Sequence, residues 1–218
     1  MRDVHCHILP GVDDGAKSMD ESMAMLDAAV ATGITGIVCT PHCRKPYFDF
    51  TAMWNAFSRF KRAARERHPQ VEVDMGFEVN YRSLCEYGFD WTRKVGFTGS
   101  NEFLLELSTR ASRSQFAEYE RFIFKLQSMG YEVIIAHPER YVAIQQDVEI
   151  AKQLVAMGCK LQASADFIAG GRLGDSKKPA IHLFKEGLYS YVASDAHNPE
   201  HYKLLARALK KYGNPAGD

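Results

Sequence analysis

The sequence predicts an α/β protein built on a parallel sheet, and three observations carry that prediction. Short apolar, β-branched runs alternate with segments of helical periodicity about seven times along 218 residues, the pattern of βα units whose strands run parallel. Polar residues with ligand chemistry recur at the carboxyl ends of those runs, where loops converge in such folds. No repeat, linker or low-complexity stretch interrupts the alternation, so residues 1–218 read as one domain. The pattern leaves an open sheet and a closed barrel as alternatives.

Met1 to His7 reads as a short buried strand, and the period-two alternation of a strand points His5 and His7 the same way. Ile8 to Gly15 then breaks into a loop at Pro10, Gly11 and Gly15, able to fold Asp13 or Asp14 back over the strand end. Ser18 and Glu21 have capping-box spacing, and Met19, Met23, Leu26 and Val30 continue as an amphipathic helix to Gly33. Ile34 to Thr40 is the next strand, followed by Thr40-Pro41-His42-Cys43. Phe48 to Arg67 carries Met53, Phe57, Phe60 and Ala64 at helical spacing, a core stripe. Val71 to Val79 alternates as one strand with Glu78 near its end, and residues 80–101 read as a hairpin or loop insertion.

Phe103 to Leu107 is a strand bearing Glu106, and Phe116 to Met129 a helix stopped by Gly130. Tyr131 to Ala136 is a strand that runs straight into His137-Pro138-Glu139-Arg140. A helix over Val148 to Met157, a strand over Cys159 to Ala163 and a helix over Lys177 to Lys185 follow. Tyr189 to Ala193 is the last strand, leading into Ser194-Asp195-Ala196-His197-Asn198, and residues 200–212 form a closing helix.

Composition removes several function classes. Lys plus Arg and Asp plus Glu balance at 27 each, so no global field recruits nucleic acid or an anionic membrane. No signal-like segment or long apolar run is present, which predicts a cytoplasmic protein without membrane insertion. Five cysteines without a dense framework suit free thiols. Cys39 and Arg44 are too close for the amide cradle of a cysteine phosphatase, and Pro41 removes a donor between them.

What remains is the set of residues at strand ends: His7, His42, Glu78, Glu106, His137, Asp195 and His197, joined by His5. A lone histidine or glutamate there is ordinarily a satisfied polar residue. Imidazoles and carboxylates converging in such number are hard to stabilise without cations, and the mixture is the donor set of divalent metals.

The motifs H-x-H-I-L-P-G-x-D-D-G, T-P-H, Glu78, Glu106, H-P-E-R-Y and S-D-x-H-N resemble those of the PHP (polymerase and histidinol phosphatase) superfamily. Within it the chain is similar to the metal-dependent protein-tyrosine phosphatases of bacterial capsule and exopolysaccharide synthesis, from His5 to about Asn198. The resemblance implies a distorted seven-stranded β/α (TIM-like) barrel holding three divalent cations, manganese first, with iron, zinc or cobalt as alternatives. By that resemblance His5, His7, Glu78 and Asp195 hold one cation, Glu78 bridges to a second with Glu106 and His137, and Asp14, His42 and His197 hold the third. Asp13 remains the alternative to Asp14. Arg140 is the expected phosphoryl-gripping fork and, with His42, the catalytic candidate.

The implied reaction is hydrolysis of phosphotyrosine by a hydroxide held between cations, on a protein substrate such as a tyrosine kinase of polysaccharide export. A small-molecule phosphoesterase such as histidinol phosphatase, or a regulatory domain whose chemistry has decayed, are the competing expectations. The chain departs from its relatives after D-x-H-N, where Glu200-His201-Tyr202-Lys203 replaces an Arg-Pro pair. Lys203 or Arg207 would then be the available substitutes.

Overall fold

The computed structural model describes residues 1–172 and 174–215. Nine strands are present among them: β1 (Arg2–Cys6), β2 (Gly36–Cys39), β3 (His42–Cys43), β4 (Glu72–Met75), β5 (Glu78–Asn80), β6 (Glu102–Glu106), β7 (Glu132–Ala136), β8 (Lys160–Ser164) and β9 (Tyr191–Ala193). They make two sheets, β1-β2-β4 and β3-β5-β6-β7-β8-β9, and every pairing is parallel. Parallel neighbours require crossover connections, and helices stand between most successive strands.

Both faces of β2, β6 and β7 are buried, which is why they read as continuous apolar runs, whereas β4 alternates because Glu72 and Asp74 face outward. Leu104, Ile134 and Ala193 pack with Val4, Val38 and Phe97 in an inner cluster, while Phe103, Leu105, Val133 and Ile135 of the same strands face the helices. The helices are set by local signals. Ser18 accepts the Glu21 N–H and starts the helix Met19–Ala31; Asp49 accepts the Ala52 N–H ahead of Phe50–Arg67, whose apolar stripe Met53, Phe57 and Phe60 is buried. Both fit the capping and periodicity rules.

The two sheets meet where two adjacent strands break together. The Val71–Val79 run is not one strand: it is interrupted between Met75 and Glu78, beside the break between Cys39 and His42. Pro41 has no N–H to give a ladder, and Gly76 is fixed by crowding, since a Cβ there would lie 2.3 Å from the Phe97 ring. Hydrogen bonds from Gly76 N–H to Cys39 O (2.9 Å) and from Glu78 N–H to Pro41 O (3.2 Å) carry the pairing across this seam. On the far side, Asp195 N–H donates to His5 O and His7 N–H to Ala196 O, each at 2.8 Å, setting the chain after β9 against β1.

Residues 80–101 differ from expectation. Instead of a hairpin or plain loop they form helices Tyr81–Tyr87 and Thr92–Val95 around a 3-10 turn, Phe89–Trp91. Asn80 caps the first by accepting the Arg82 N–H at 3.0 Å, and Tyr81 packs edge-on against Tyr119 and Phe122. Pieces this short leave no periodicity to read. For the same reason the helix Val142–Gln146 was not foreseen, and the helix expected from Phe116 starts earlier, at Arg113 behind a Ser112 capping box.

Candidate metal centre

The loop after β1 explains how two neighbouring aspartates divide their work. Gly15 lies against the backbone of His7, where a Cβ would be 1.9 Å from His7 O. That approach lets Asp13 turn inward: its Oδ2 accepts from His7 Nδ1 at 2.8 Å and from His42 N–H at 3.1 Å, and its Oδ1 from Gly15 N–H at 2.9 Å. Asp13 is thus a buried support, and Asp14 is the one facing the histidines, with Oδ1 3.1 Å from His42 Nε2 and 3.3 Å from His197 Nε2. Gly15→Ala is expected to displace both aspartates and to weaken metal retention at least about tenfold, read by metal content after dialysis; retention equal to the parent would contradict this account of the loop.

Two hydrogen bonds also settle which ring nitrogens face inward. A carboxylate can only accept, so His7 carries its proton on Nδ1 toward Asp13. Gln162 gives its amide N–H to Ala163 O, leaving Oε1 to accept from His5 Nδ1 at 2.9 Å. The Nε2 atoms of both histidines therefore face the cluster, an outer-shell arrangement usual for metal-binding histidines. Sequence reading missed Gln162, although one amide in an otherwise apolar strand was a signal.

Glu78 is the centre of the arrangement. Its Oε1 lies 2.8 Å from His137 Nε2 and 3.6 Å from His5 Nε2, and its Oε2 2.6 Å from His42 Nδ1 and 3.5 Å from His7 Nε2. Asp195 Oδ1 stands 3.5 Å and 3.4 Å from His5 Nε2 and His7 Nε2. Four overlapping groups of donors result: His7, Asp14, His42 and His197; His5, His137 and Asp195; His5, His7 and Glu78; Glu78, Glu106 and His137. Together they bring in all nine ligand candidates expected from the sequence, and among the described residues no tenth joins them. Two of the nine, His137 (φ 34°) and Asp195 (φ 47°), hold left-handed backbone conformations that side chains rarely adopt, the kind of strain that concentrates at functional sites.

The electrostatics favour cations strongly. Burial alone would push the His5 and His42 imidazoles down. For His5, Asp195 and Glu78 outweigh it and raise the pKa to about 9; for His42, Glu78 and Asp14 raise it to about 10. The carboxylates move the opposite way: against burial, His42 and His5 hold Glu78 well below its ordinary value, and Arg140 and His5 do the same for Asp195. Burial raises the Cys43 thiol to about 12, which suits an inert structural cysteine. Six buried atoms of the cluster, His5 Nε2, His7 Nε2, Asp14 Oδ1, His42 Nδ1, Glu78 Oε2 and His137 Nδ1, have no hydrogen-bond partner. Buried nitrogens and oxygens crowded together without well-formed hydrogen bonds in this way fit a metal centre.

Above the cluster lies a cavity of about 220 Å³ whose lining includes three arginines, Arg44, Arg140 and Arg172. Arg140 is anchored, its Nη2 donating to Asp195 (2.6 Å), Asp166 (3.0 Å) and Ser164 (3.0 Å), while its buried Nε has no partner. Arg44 and Arg172 were not among the sequence candidates, and an arginine in a loop carries no signal that would single it out. Lys203 pairs with Glu200 on the surface, and Arg207 lines a separate basic pocket with Lys177, Lys210 and Lys211; neither lines the cavity over the cluster.

The fold and the site define a parallel α/β protein with a candidate metal centre at the carboxyl ends of its strands. Comparison with known proteins narrows that class. The family model described as capsular polysaccharide synthesis, CpsB/CapC, matches residues 1–213, and the chain belongs to that family. It is 28% identical over 226 residues to the tyrosine-protein phosphatase CpsB of Streptococcus agalactiae, covering 97% of this chain and 92% of that protein. To the tyrosine-protein phosphatase YwqE of Bacillus subtilis it is 32% identical over 202 residues, covering 91% and 78%. A solved structure from work on YwqE of B. subtilis and CpsB of Streptococcus pneumoniae, described as unique metal-dependent tyrosine phosphatases, superposes with a TM-score of 0.80 at 28% identity, covering 99% of this chain and 90% of that one. No helix among the described residues is long and apolar enough to cross a membrane.

Proposed function

We propose that this chain is a metal-dependent phosphatase that hydrolyses phosphotyrosine in a protein, as the printed names of its relatives say of them. The observation that carries the reading is the small cavity itself, with a floor of histidine and carboxylate donors and a wall of guanidinium groups. Such a site suits a compact dianion. Three divalent cations are the intended occupancy, manganese first, distributed over His5, His7, Glu78 and Asp195; Glu78, Glu106 and His137; and Asp14, His42 and His197. Bound there, divalent cations supply a water acidic enough to attack phosphorus near neutral pH and positive charge to offset that of the phosphoryl oxygens.

The protein's own groups do the rest. Asp13 and Gln162 hold His7 and His5 in the tautomer that presents Nε2. Arg140, fixed by Asp195, Asp166 and Ser164, lines the cavity and supplies the fixed positive charge for a phosphoryl oxygen. A phenolate is a fair leaving group, so the scheme needs no dedicated acid. We further read residues 1–218 as one domain whose seven strand positions close into a barrel; the hydrogen bonds joining Asp195 to His5 and Ala196 to His7 support that reading. A tyrosine kinase of capsule or exopolysaccharide synthesis is the substrate that suits the family's description, and the cytoplasm is the compartment in which we place this chain.

The test is the initial rate of phosphate release by chelator-treated protein, with and without added Mn²⁺, from a phosphotyrosine peptide and from histidinol phosphate. Metal-dependent turnover that prefers the peptide is expected. Preference for histidinol phosphate would move the function to metabolism, and no turnover of either with any divalent metal would overturn the enzymatic reading.

A further inference from the structure

The side-chain partners of Arg44 and Arg172 set these residues apart from the rest of the surface. Arg44 donates from Nη2 to His42 Nε2 at 3.0 Å and from Nη1 to both oxygens of Glu106 at 3.4 Å. Arg172 donates from Nη1 to His197 Nε2 at 3.0 Å and from Nη2 to Asp14 Oδ2 at 2.9 Å. Every one of these partners is a ligand candidate, and neither guanidinium has a hydrogen-bonded side-chain partner outside the cluster among the described residues. With 33% and 50% of their side chains exposed, both arginines reach solvent at the edge of the cluster.

We propose that Arg44 and Arg172 are a mobile pair of phosphate-binding residues that clamp the phosphoryl group at the mouth of the small cavity. The proposal rests on the phosphatase reading above and deepens it. An imidazole Nε2 has one lone pair, so His42 and His197 cannot serve a cation and an arginine at once. When the ligands turn to metal, both guanidiniums lose their partners but stay tethered. Arg44 is only two residues from His42, and the Arg172 backbone N–H is bound to Asp166 Oδ2 at 2.7 Å.

Each arginine also stands where the small cavity adjoins a larger one, Arg172 toward a space of about 530 Å³ and Arg44 toward one of about 340 Å³. A phosphoryl group entering from either side meets a freed planar fork able to take two oxygens at once. Arg140 differs, because Asp166, Ser164 and Asp195 keep it anchored. The inner arginine is fixed and the outer two are released by metal loading.

Arg44→Gln, Arg172→Gln and the double variant, reconstituted with Mn²⁺, test this beside the parent protein. Metal content per chain and circular dichroism are measured first, then calorimetric binding of inorganic phosphate, then kcat and KM on a phosphotyrosine peptide. The expected result is full metal content with phosphate binding weakened about tenfold per arginine, and kcat/KM lowered about 10- to 100-fold. Arg172→Lys should recover part of the phosphate affinity, since the charge survives without the fork. Full metal content with unchanged phosphate binding would overturn the clamp. So would lost metal content with phosphate affinity per bound metal unchanged, which would make the arginines supports of the ligands. Phosphate binding is read whether or not the peptide is hydrolysed: arginine-dependent binding without turnover counts against the phosphatase reading, and turnover with arginine-independent binding against the clamp.

Discussion

Glu78→Gln is expected to lower kcat/KM for a phosphotyrosine peptide by at least about 10³-fold and to cost the protein bound metal, with its circular dichroism retained. The reason is the number of groups that depend on one carboxylate. Four histidines, His5, His7, His42 and His137, lie within 3.6 Å of its two oxygens, and it belongs to two of the donor groups. An amide keeps the shape but replaces one oxygen with a donor, which opposes both the imidazoles and any cation. Glu78→Asp keeps the charge while shortening the reach, so partial metal retention is expected there. A Gln variant with full metal content and activity would remove Glu78 from the centre of the site.

Chelation is expected to lower the melting temperature by about 5–10 °C at pH 8.5, and by clearly less at pH 6. The sign follows from the histidines. Without metal, His5 and His42 titrate near 9 and 10, against about 6.5 in an unfolded chain. The stability their protonated forms contribute is therefore complete below about 6.5 and fades as the pH rises through 9 and 10. Metal-bound histidine must be deprotonated, so a cation competes with those protons at low pH and meets less competition as they leave. The gap between loaded and chelated protein should widen from pH 6 to pH 8.5, measured by scanning calorimetry. A gap that narrows with pH would show that these imidazoles are not where the cations bind.

Much of this candidate site was legible because ligand candidates at strand ends are marked by the chain's own continuity. His137 follows an apolar strand without a break, and His5 and His7 share a face through the alternation of β1. The choice between Asp13 and Asp14 was not legible, because it turns on how closely Gly15 approaches the His7 backbone, a contact within a loop that no periodicity encodes. The seam was hidden for a related reason. The run from Val71 to Val79 alternates like one strand, and only the ring of Phe97, distant in sequence, shows why position 76 at the break has no room for a side chain. Arg172 owes its place to the tether at Asp166, a local turn that composition does not foretell.

The break that divides the sheets runs beneath the cluster. His5 comes from the three-stranded sheet, whereas Glu78, Glu106 and His42 come from the six-stranded one, and His137 and Asp195 follow its later strands. A nascent chain that has made only its first βα units owns an H-x-H pair and little else with which to hold an ion. If the cluster binds as proposed, occupancy would work as an inspection of assembly: a cation retained against a chelator would report that both sheets, and the last strand against the first, have come together, and a nicked or half-folded chain would be recognised by the metal it cannot keep.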